Sequence, residues 1–348
     1  MLEIKIPLSV PSNKKSVYRQ NYLRLTNNSG KLLLIAGDQK LEHLNDDFFG
    51  RDISKEDNNP EHLFKIAEAS NGGVLATHLG LISQYGASYK NIPYIVKLNG
   101  RTNIGPNEEK NSAKCLWKVD DVLKFKNQSG LKIVGVGYTL YLGSKYEGKM
   151  LTAAAQLIFE AHQAGLPAIL WIYPRANKVN EENIHTIAGA AGVAAALDAD
   201  FAKLKYPYST KDIKKTALNY LEVTQAAGRT KIICVGGSKK SAPSILEELA
   251  NQINLGGTSG LAMGRNLHQR SLEEATRFSR ALGSIIFKNN DLKKAKDIYN
   301  NRTPLKTKTT SKLLGMFLLR SSSLWAYRIL NSLVPQPRVV GRIIPCST

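Results

Sequence analysis

Short apolar runs alternate with stretches of helical periodicity over most of this chain. The first run, Leu32-Leu-Leu-Ile-Ala-Gly37, has no polar position and stops at Asp38. That is the pattern of a strand buried on both faces. Comparable strands are predicted at 73–77, 93–99, 132–137, 167–173, 201–206, 231–235 and 257–263. Helical patterns fall between them at 61–70, 119–127, 147–164, 183–197, 209–227, 243–252 and 272–287. Gly165 closes the third of these helices, and the fourth is rich in Ala and Gly, which permits close packing. Eight strand–helix units within residues 30–288 predict an α/β fold, a (β/α)8 TIM barrel. A doubly wound open sheet is the competing arrangement. Two features favour the barrel: no dinucleotide fingerprint follows the first strand, and polar residues recur where strands end, the ends that a barrel gathers at one mouth. Residues 1–29 read as a leader that packs on the barrel. Residues 289–348 read as a basic, poorly ordered C-terminal extension.

Composition narrows the class. The chain has 348 residues, a formal net charge of +20 and three cysteines, Cys115, Cys234 and Cys346. An odd, widely spaced set of cysteines indicates neither a disulfide framework nor a metal knuckle, and a reducing cytoplasm fits it. The N-terminus lacks the apolar core of a signal peptide, and no apolar run is long enough to span a membrane. From Lys288 onward, 12 Lys and Arg face 2 Asp and Glu, so half of the net charge lies in the last sixth of the chain. The remaining basic bias suits phosphorylated small molecules. No aromatic-basic stacking motif points to nucleic acid. A non-catalytic basic binding protein is the remote alternative.

Candidate chemistry lies at the predicted strand ends. Asp38 follows strand one with Gln39, Lys40, Glu42 and His43 close behind; His78 follows strand two; Lys97 and Asn99 end strand three; Tyr138 and Thr139 end strand four. Strand five carries Trp171, Tyr173 and Arg175, with Trp171 and Tyr173 on one face by alternation. Strand six carries Lys203 and Lys205. A lysine desolvated among cations becomes a neutral amine able to attack a carbonyl. The two lysines share strand parity, so alternation alone does not choose between them. His62, His162 and His185 read as surface residues of helices, and no metal-ligand spacing appears. Gly236-Gly237-Ser238 and Gly264-Arg265 each separate a strand from a helix start, where backbone N–H groups can hold a phosphate and Arg265 can add a bidentate contact.

In order, Ile35-Ala-Gly-Asp-Gln-Lys-Leu-Glu-His43, Gly135-Val-Gly-Tyr-Thr-Leu-Tyr-Leu-Gly-Ser144, Trp171-Ile-Tyr-Pro-Arg175, Asp200-Phe-Ala-Lys-Leu-Lys-Tyr206, Val235-Gly-Gly-Ser-Lys239 and Leu261-Ala-Met-Gly-Arg-Asn266 span about 30 to 270. Together they resemble the archaeal-type class I fructose-bisphosphate aldolases of the DeoC/LacD-like Schiff-base group. The resemblance implies a lyase of glycolysis and gluconeogenesis without cofactor or metal, acting on a sugar phosphate and forming a homo-oligomer. It implies Lys203 as the imine-forming lysine, through the Lys-x-x-Tyr spacing, with Tyr173 as acid/base and Asp38 beside the imine. Trp171, Arg175, Lys97, His43 and Lys205 are then substrate contacts. Gly236, Gly237, Ser238, Gly264 and Arg265 are the phosphate contacts. The sequence departs from the family at Lys40 and at Ala176-Asn177, where glycines are usual, and both departures fall on loops that the resemblance implies face the substrate. A related aldolase or acyl-transferase, acting on another phosphorylated ketose or an aromatic-precursor sugar, is the alternative.

Overall fold

A computed structural model describes residues 2–175, 179–207, 212–235, 240–289 and 291–301 of the chain. Eight parallel strands close into a barrel: β1 Leu32–Ala36, β2 Val74–Thr77, β3 Tyr94–Lys97, β4 Ile133–Leu142, β5 Ala168–Pro174, β6 Phe201–Leu204, β7 Lys231–Val235 and β8 Gly260–Met263. Each strand hydrogen-bonds its neighbour in sequence, and β1 pairs with β8 to close the ring, Leu32 opposite Gly260 and Ile35 opposite Met263. The approach is tight at the seam. A Cβ on Gly260, at φ +135°, would lie 1.9 Å from the carbonyl oxygen of Leu32, so only glycine fits.

Helices surround the ring: α1 Lys15–Leu25, α2 Glu61–Ala69, α3 Leu79–Tyr85, α4 Val119–Ser129, α5 Glu147–Gln163, α6 Ile184–Ala196, α7 Ile213–Asn219, α8 Leu221–Ala226, α9 Ala242–Asn254, α10 Leu272–Lys288 and α11 Leu292–Tyr299. Local chemistry starts several of them. Asn183, Asp212, Ser241, Ser271 and Asp291 each accept a backbone N–H of the first turn of α6, α7, α9, α10 and α11. The single helix predicted over 209–227 is two, meeting at Tyr220, and its first residues lie outside the described ones. The helix α3 lies where no helix was predicted. The expected extension opens with α11, which is not loose: Ala295 is fully buried, and the Tyr299 hydroxyl donates to Glu274 of α10 at 2.8 Å.

Apolar residues form two layers. One fills the space between strands and helices. The other is the barrel interior, with Leu32, Leu34, Ala36, Val74, Ala76, Ile95, Val134, Ile169, Phe201, Ile233 and Ala262. The leader joins this second layer. Tyr18, Tyr22 and Leu25 of α1 are buried against it, and Tyr22 stacks on Phe201 with centroids 5.9 Å apart. The leader thus plugs the N-terminal end of the barrel and leaves the C-terminal end open. Among the described residues, no helix is long and apolar enough to cross a membrane.

One boundary matters for the site. Strand β4 was predicted to stop at Gly137 but continues to Leu142, paired with β5 from Val136–Ala168 to Leu142–Pro174. Tyr138 therefore lies within the strand and packs toward the helices, and Thr139 is buried. Neither lines the mouth; Tyr141 does.

Candidate active site

The open end of the barrel holds a cavity of about 390 Å³. Asp38, Glu42 and His43 line it from the β1 end, Arg101 from the segment after β3, Tyr141 from β4, Tyr173 and Arg175 from β5, Lys203 and Lys205 from β6, and Arg265 from the β8 end. Glu181 and Glu182 complete the wall between β5 and α6.

Its floor is Trp171. The indole is buried and lies over Gly137, whose added Cβ would meet the ring at 2.4 Å. Glycine at that position is what lets an indole occupy the barrel axis. Above the ring stand two lysine nitrogens, Lys97 Nζ and Lys203 Nζ, each 5.3 Å from its centre. Lys203 is opposite Trp171 in the β5–β6 register, so parity aims both into the barrel.

The charges are arranged so that Lys97 is satisfied and Lys203 is not. Lys97 is fully buried below the cavity, 3.2 Å from Glu42 and 3.6 Å from Asp38. Burial opposes its charge, but Glu42 and Asp38 outweigh burial and hold its pKa above the ordinary lysine value. Lys203 is only 4 % exposed. Burial, reinforced by Lys97, lowers its pKa, and Asp38 and Glu42 offset only part of that. For Asp38, burial pushes upward, while Lys203, Lys97 and His78 prevail and keep the carboxyl below its usual value. One Asp38 oxygen, Oδ1, has no hydrogen-bond partner among the described residues. Burial, then Asp38 and Glu42, raise the Tyr173 phenol well above its ordinary value, so it stands protonated. The arrangement offers an amine whose protonation burial disfavours, a carboxylate held below its usual pKa with a free oxygen, and a phenol able to donate.

Above this layer the rim carries Arg101, Arg175, Lys205 and Arg265 together with Glu181 and Glu182. Arg175 stacks over Tyr173 at 4.7 Å and Tyr141 at 5.5 Å, and Arg101 approaches Tyr141 from another side at 5.6 Å. Arg265 reaches Asp47 at 3.8 Å, and Asp47 also holds His43 Nδ1 at 2.5 Å. Gly264 lies beside Gln39, whose Nε2 would be 2.3 Å from an added Cβ, so a side chain there would have to push the Gln39 amide aside. Gly236, Gly237 and Ser238 lie outside the described residues.

Several expectations change in place. Trp171 and Lys97 sit beneath the cavity rather than on its wall. His78 is buried and turned to the carbonyl of Asn99 at 3.3 Å. Two of the three histidines expected at the surface are buried: His62 sits against the carbonyls of His268 and Arg270, and His162 lies between Asp198 and Asp200. His185 is exposed as expected. Lys40 turns to Phe48, 4.4 Å from the ring centre, so the departure from the family's glycine adds no charge to the cavity. The sequence reading did not single out Arg101, Tyr141, Glu181 or Glu182. Tyr141 was recoverable from continued strand alternation past Gly137; the others sit on loops without a period.

The chain belongs to the DeoC/LacD family of aldolases, whose profile matches residues 32–270. It is 47% identical over 298 residues to the fructose-bisphosphate aldolase/6-deoxy-5-ketofructose 1-phosphate synthase of Methanocaldococcus jannaschii, covering 85% of this chain and 94% of that one. It is 31% identical to the class 1 fructose-bisphosphate aldolase of Thermoproteus tenax, covering 77% of this chain and 94% of that one. Among solved structures, the fructose-bisphosphate aldolase of Slackia heliotrinireducens superposes with a TM-score of 0.83 at 43% identity, covering 88% of this chain and 96% of that one. An archaeal fructose-1,6-bisphosphate aldolase with its catalytic lysine covalently bound to the carbinolamine intermediate superposes at 0.66, with 29% identity and 78% and 99% coverage.

Proposed function

We propose that this protein is a class I, Schiff-base fructose-bisphosphate aldolase that reversibly cleaves fructose 1,6-bisphosphate to dihydroxyacetone phosphate and glyceraldehyde 3-phosphate. The observation that carries the reading is the Lys203 amine, buried over Trp171 and beside Asp38 at the base of the mouth that the plugged barrel leaves open. Lys203 attacks the C2 carbonyl of the open-chain ketose, and loss of water from the carbinolamine leaves a protonated imine. The C4 hydroxyl then gives up its proton, the C3–C4 bond breaks, and its electron pair moves into the imine as an enamine. The aldehyde leaves, C3 is protonated, and water releases the ketone and restores the amine.

Tyr173 donates and recovers protons in these steps. Its neutral phenol suits the resting site, and the iminium charge that forms on Lys203 favours its ionisation at the stage when a base is needed. Asp38 steadies the iminium with its unpartnered oxygen and takes a substrate hydroxyl. Arg265, with Gly264 and the residues Gly236, Gly237 and Ser238, receives the phosphate nearer the imine. Arg175 and Lys205 face the sugar's far end, and His43 contacts its hydroxyls. The expected cytoplasmic location and homo-oligomeric state belong to the same reading.

Borohydride reduction in the presence of dihydroxyacetone phosphate is expected to leave a stable adduct on the peptide bearing Lys203, seen by mass spectrometry, and Lys203→Ala is expected to abolish both adduct and cleavage. An adduct on Lys205 instead, or none, overturns the assignment. The synthase activity in the name of the M. jannaschii relative favours one further reading, carbon–carbon bond synthesis with another acceptor aldehyde. Rates measured over a panel of phosphorylated ketoses and aldehydes separate the two.

A further inference from the structure

The cavity wall carries carboxylates at two heights. Asp38 and Glu42, at its base, are committed to Lys97. Glu181 and Glu182, at the rim, are committed to the two cations at the ends of β5 and β6. Arg175 Nε lies 3.2 Å from Glu181, and Lys205 Nζ lies 3.6 Å from Glu181 and 3.3 Å from Glu182. All four side chains are about one-third exposed, at 35%, 31%, 38% and 31%, and all four line the cavity. The glutamates are held in place from below. Asn180 accepts the Glu182 N–H at 2.9 Å, and Asn183, one residue on, caps α6. Arg175 is fixed independently by stacking on Tyr173 and Tyr141.

We infer that Glu181 and Glu182 are specificity-determining residues that stand in for a phosphate on Arg175 and Lys205, so that the pocket accepts ketoses with or without a charge at the end remote from the imine. This inference rests on the aldolase reading above. A sugar with an uncharged far end leaves the two cations neutralised by the chain's own carboxylates, so no unpaired charge is covered. A sugar with a far phosphate has to displace those carboxylates or bind against their repulsion. The glutamates therefore weaken binding of the bisphosphate without touching the imine, and they flatten the difference between bisphosphate and monophosphate.

The test is the double variant Glu181→Gln/Glu182→Gln. Its ratio of kcat/KM for fructose 1,6-bisphosphate over fructose 1-phosphate is expected to rise roughly three- to tenfold, carried by a lower KM for the bisphosphate, as for removing like charges near a phosphate at high effective dielectric. Calorimetry with 1,6-bisphosphorylated and 1-phosphorylated hexitols is expected to show the same selective gain. Adding Arg175→Gln is expected to remove most of that gain, because the glutamates act through the cation. A ratio that stays level or falls, or a gain equal for both ligands, overturns the inference and makes the glutamates positioning residues for Arg175. A wild-type chain that cleaves neither sugar and takes no adduct at Lys203 overturns the aldolase reading instead, and the calorimetric ratio still decides the role of the glutamates.

Discussion

Lys203 owes its readiness to burial, and charges on three other side chains adjust it. Burial and Lys97 lower its pKa, and Asp38 and Glu42 raise it. Only the neutral amine attacks, so the acidic limb of imine formation follows this balance. Asp38→Asn removes a charge that favours the ammonium form and is expected to move that limb to lower pH. Lys97→Met removes a cation that disfavours it and is expected to move the limb to higher pH. The rate of borohydride trapping against pH measures both, even where turnover is slow, and two shifts in the same direction would contradict the assignment. Lys97→Met carries a second cost, since it leaves Glu42 and Asp38 near Trp171 without their counter-ion, a loss of about 3–5 kcal/mol by the usual scale for a broken buried pair. Gly137 acts by its lack of a side chain. Gly137→Ala places a methyl 2.4 Å from the Trp171 ring. Thermal denaturation is expected to show a loss of about 1–3 kcal/mol for this overpacking, together with a fall in kcat, because the floor that carries Lys203 shifts.

At the scale of elements, α1 and the residues beneath it close the end of the barrel opposite the chemistry. Their anchor is polar. His162 of α5 is buried with Nε2 3.0 Å from Asp200 and Nδ1 2.7 Å from the Ser9 hydroxyl, and Tyr18 of α1 donates to the same Asp200. Burial opposes the imidazolium, but Asp200 and Asp198 raise its pKa above the ordinary value. A raised pKa contributes stability that is present below the unfolded value, near pH 6.5, and is lost as pH rises through the folded value. The denaturation midpoint is therefore expected to fall as pH climbs above 6.5, and His162→Asn is expected to flatten that slope while lowering stability at pH 6 by about 1.5–3 kcal/mol, the range for hydrogen bonds to charged groups. An unchanged slope would mean that the histidine does not titrate as the geometry implies. The same elements show how far the sequence could be read. Eight apolar runs located the eight strands, because a barrel strand is buried on both faces and is mostly apolar until it nears the mouth. The histidines were misjudged because His162 meets Asp200 across 38 residues and Ser9 across 153, and helical periodicity carries no information about such partners. The β4 end was placed five residues early, and Gly135 and Gly137 within the strand are the space left for the Pro167 carbonyl and the Trp171 ring. The base of the site follows from strand parity. The rim does not, since loop geometry alone sets Arg101, Glu181 and Glu182.

For the whole molecule, the question is how much of a strongly basic chain the chemistry needs. Residues 2–301 contain all eight strands, the α1 plug, α11 and every described side chain of the mouth. Residues 302–348 hold eight Lys and Arg and no Asp or Glu, so they contribute +8 of the net +20. Charge of that size acts at a distance only when salt is low, because screening confines exposed charges to about 10 Å at 0.1 M. A chain ending at Asn301 is thus expected to keep its denaturation midpoint within about 2 °C, the shift that a few tenths of a kcal/mol would cause. Its kcat on fructose 1,6-bisphosphate is expected to stay within about twofold, while its retention on a polyanionic column falls. Ending the chain before Leu292 instead removes the Tyr299–Glu274 hydrogen bond and uncovers the α10 surface that holds Ala295, and is expected to lower the midpoint clearly. Equal losses from the two truncations would place part of the fold beyond Asn301. Activity lost at Asn301 with the midpoint intact would place part of the substrate's electrostatic capture there, and the salt dependence of kcat/KM would then differ between the full and shortened chains.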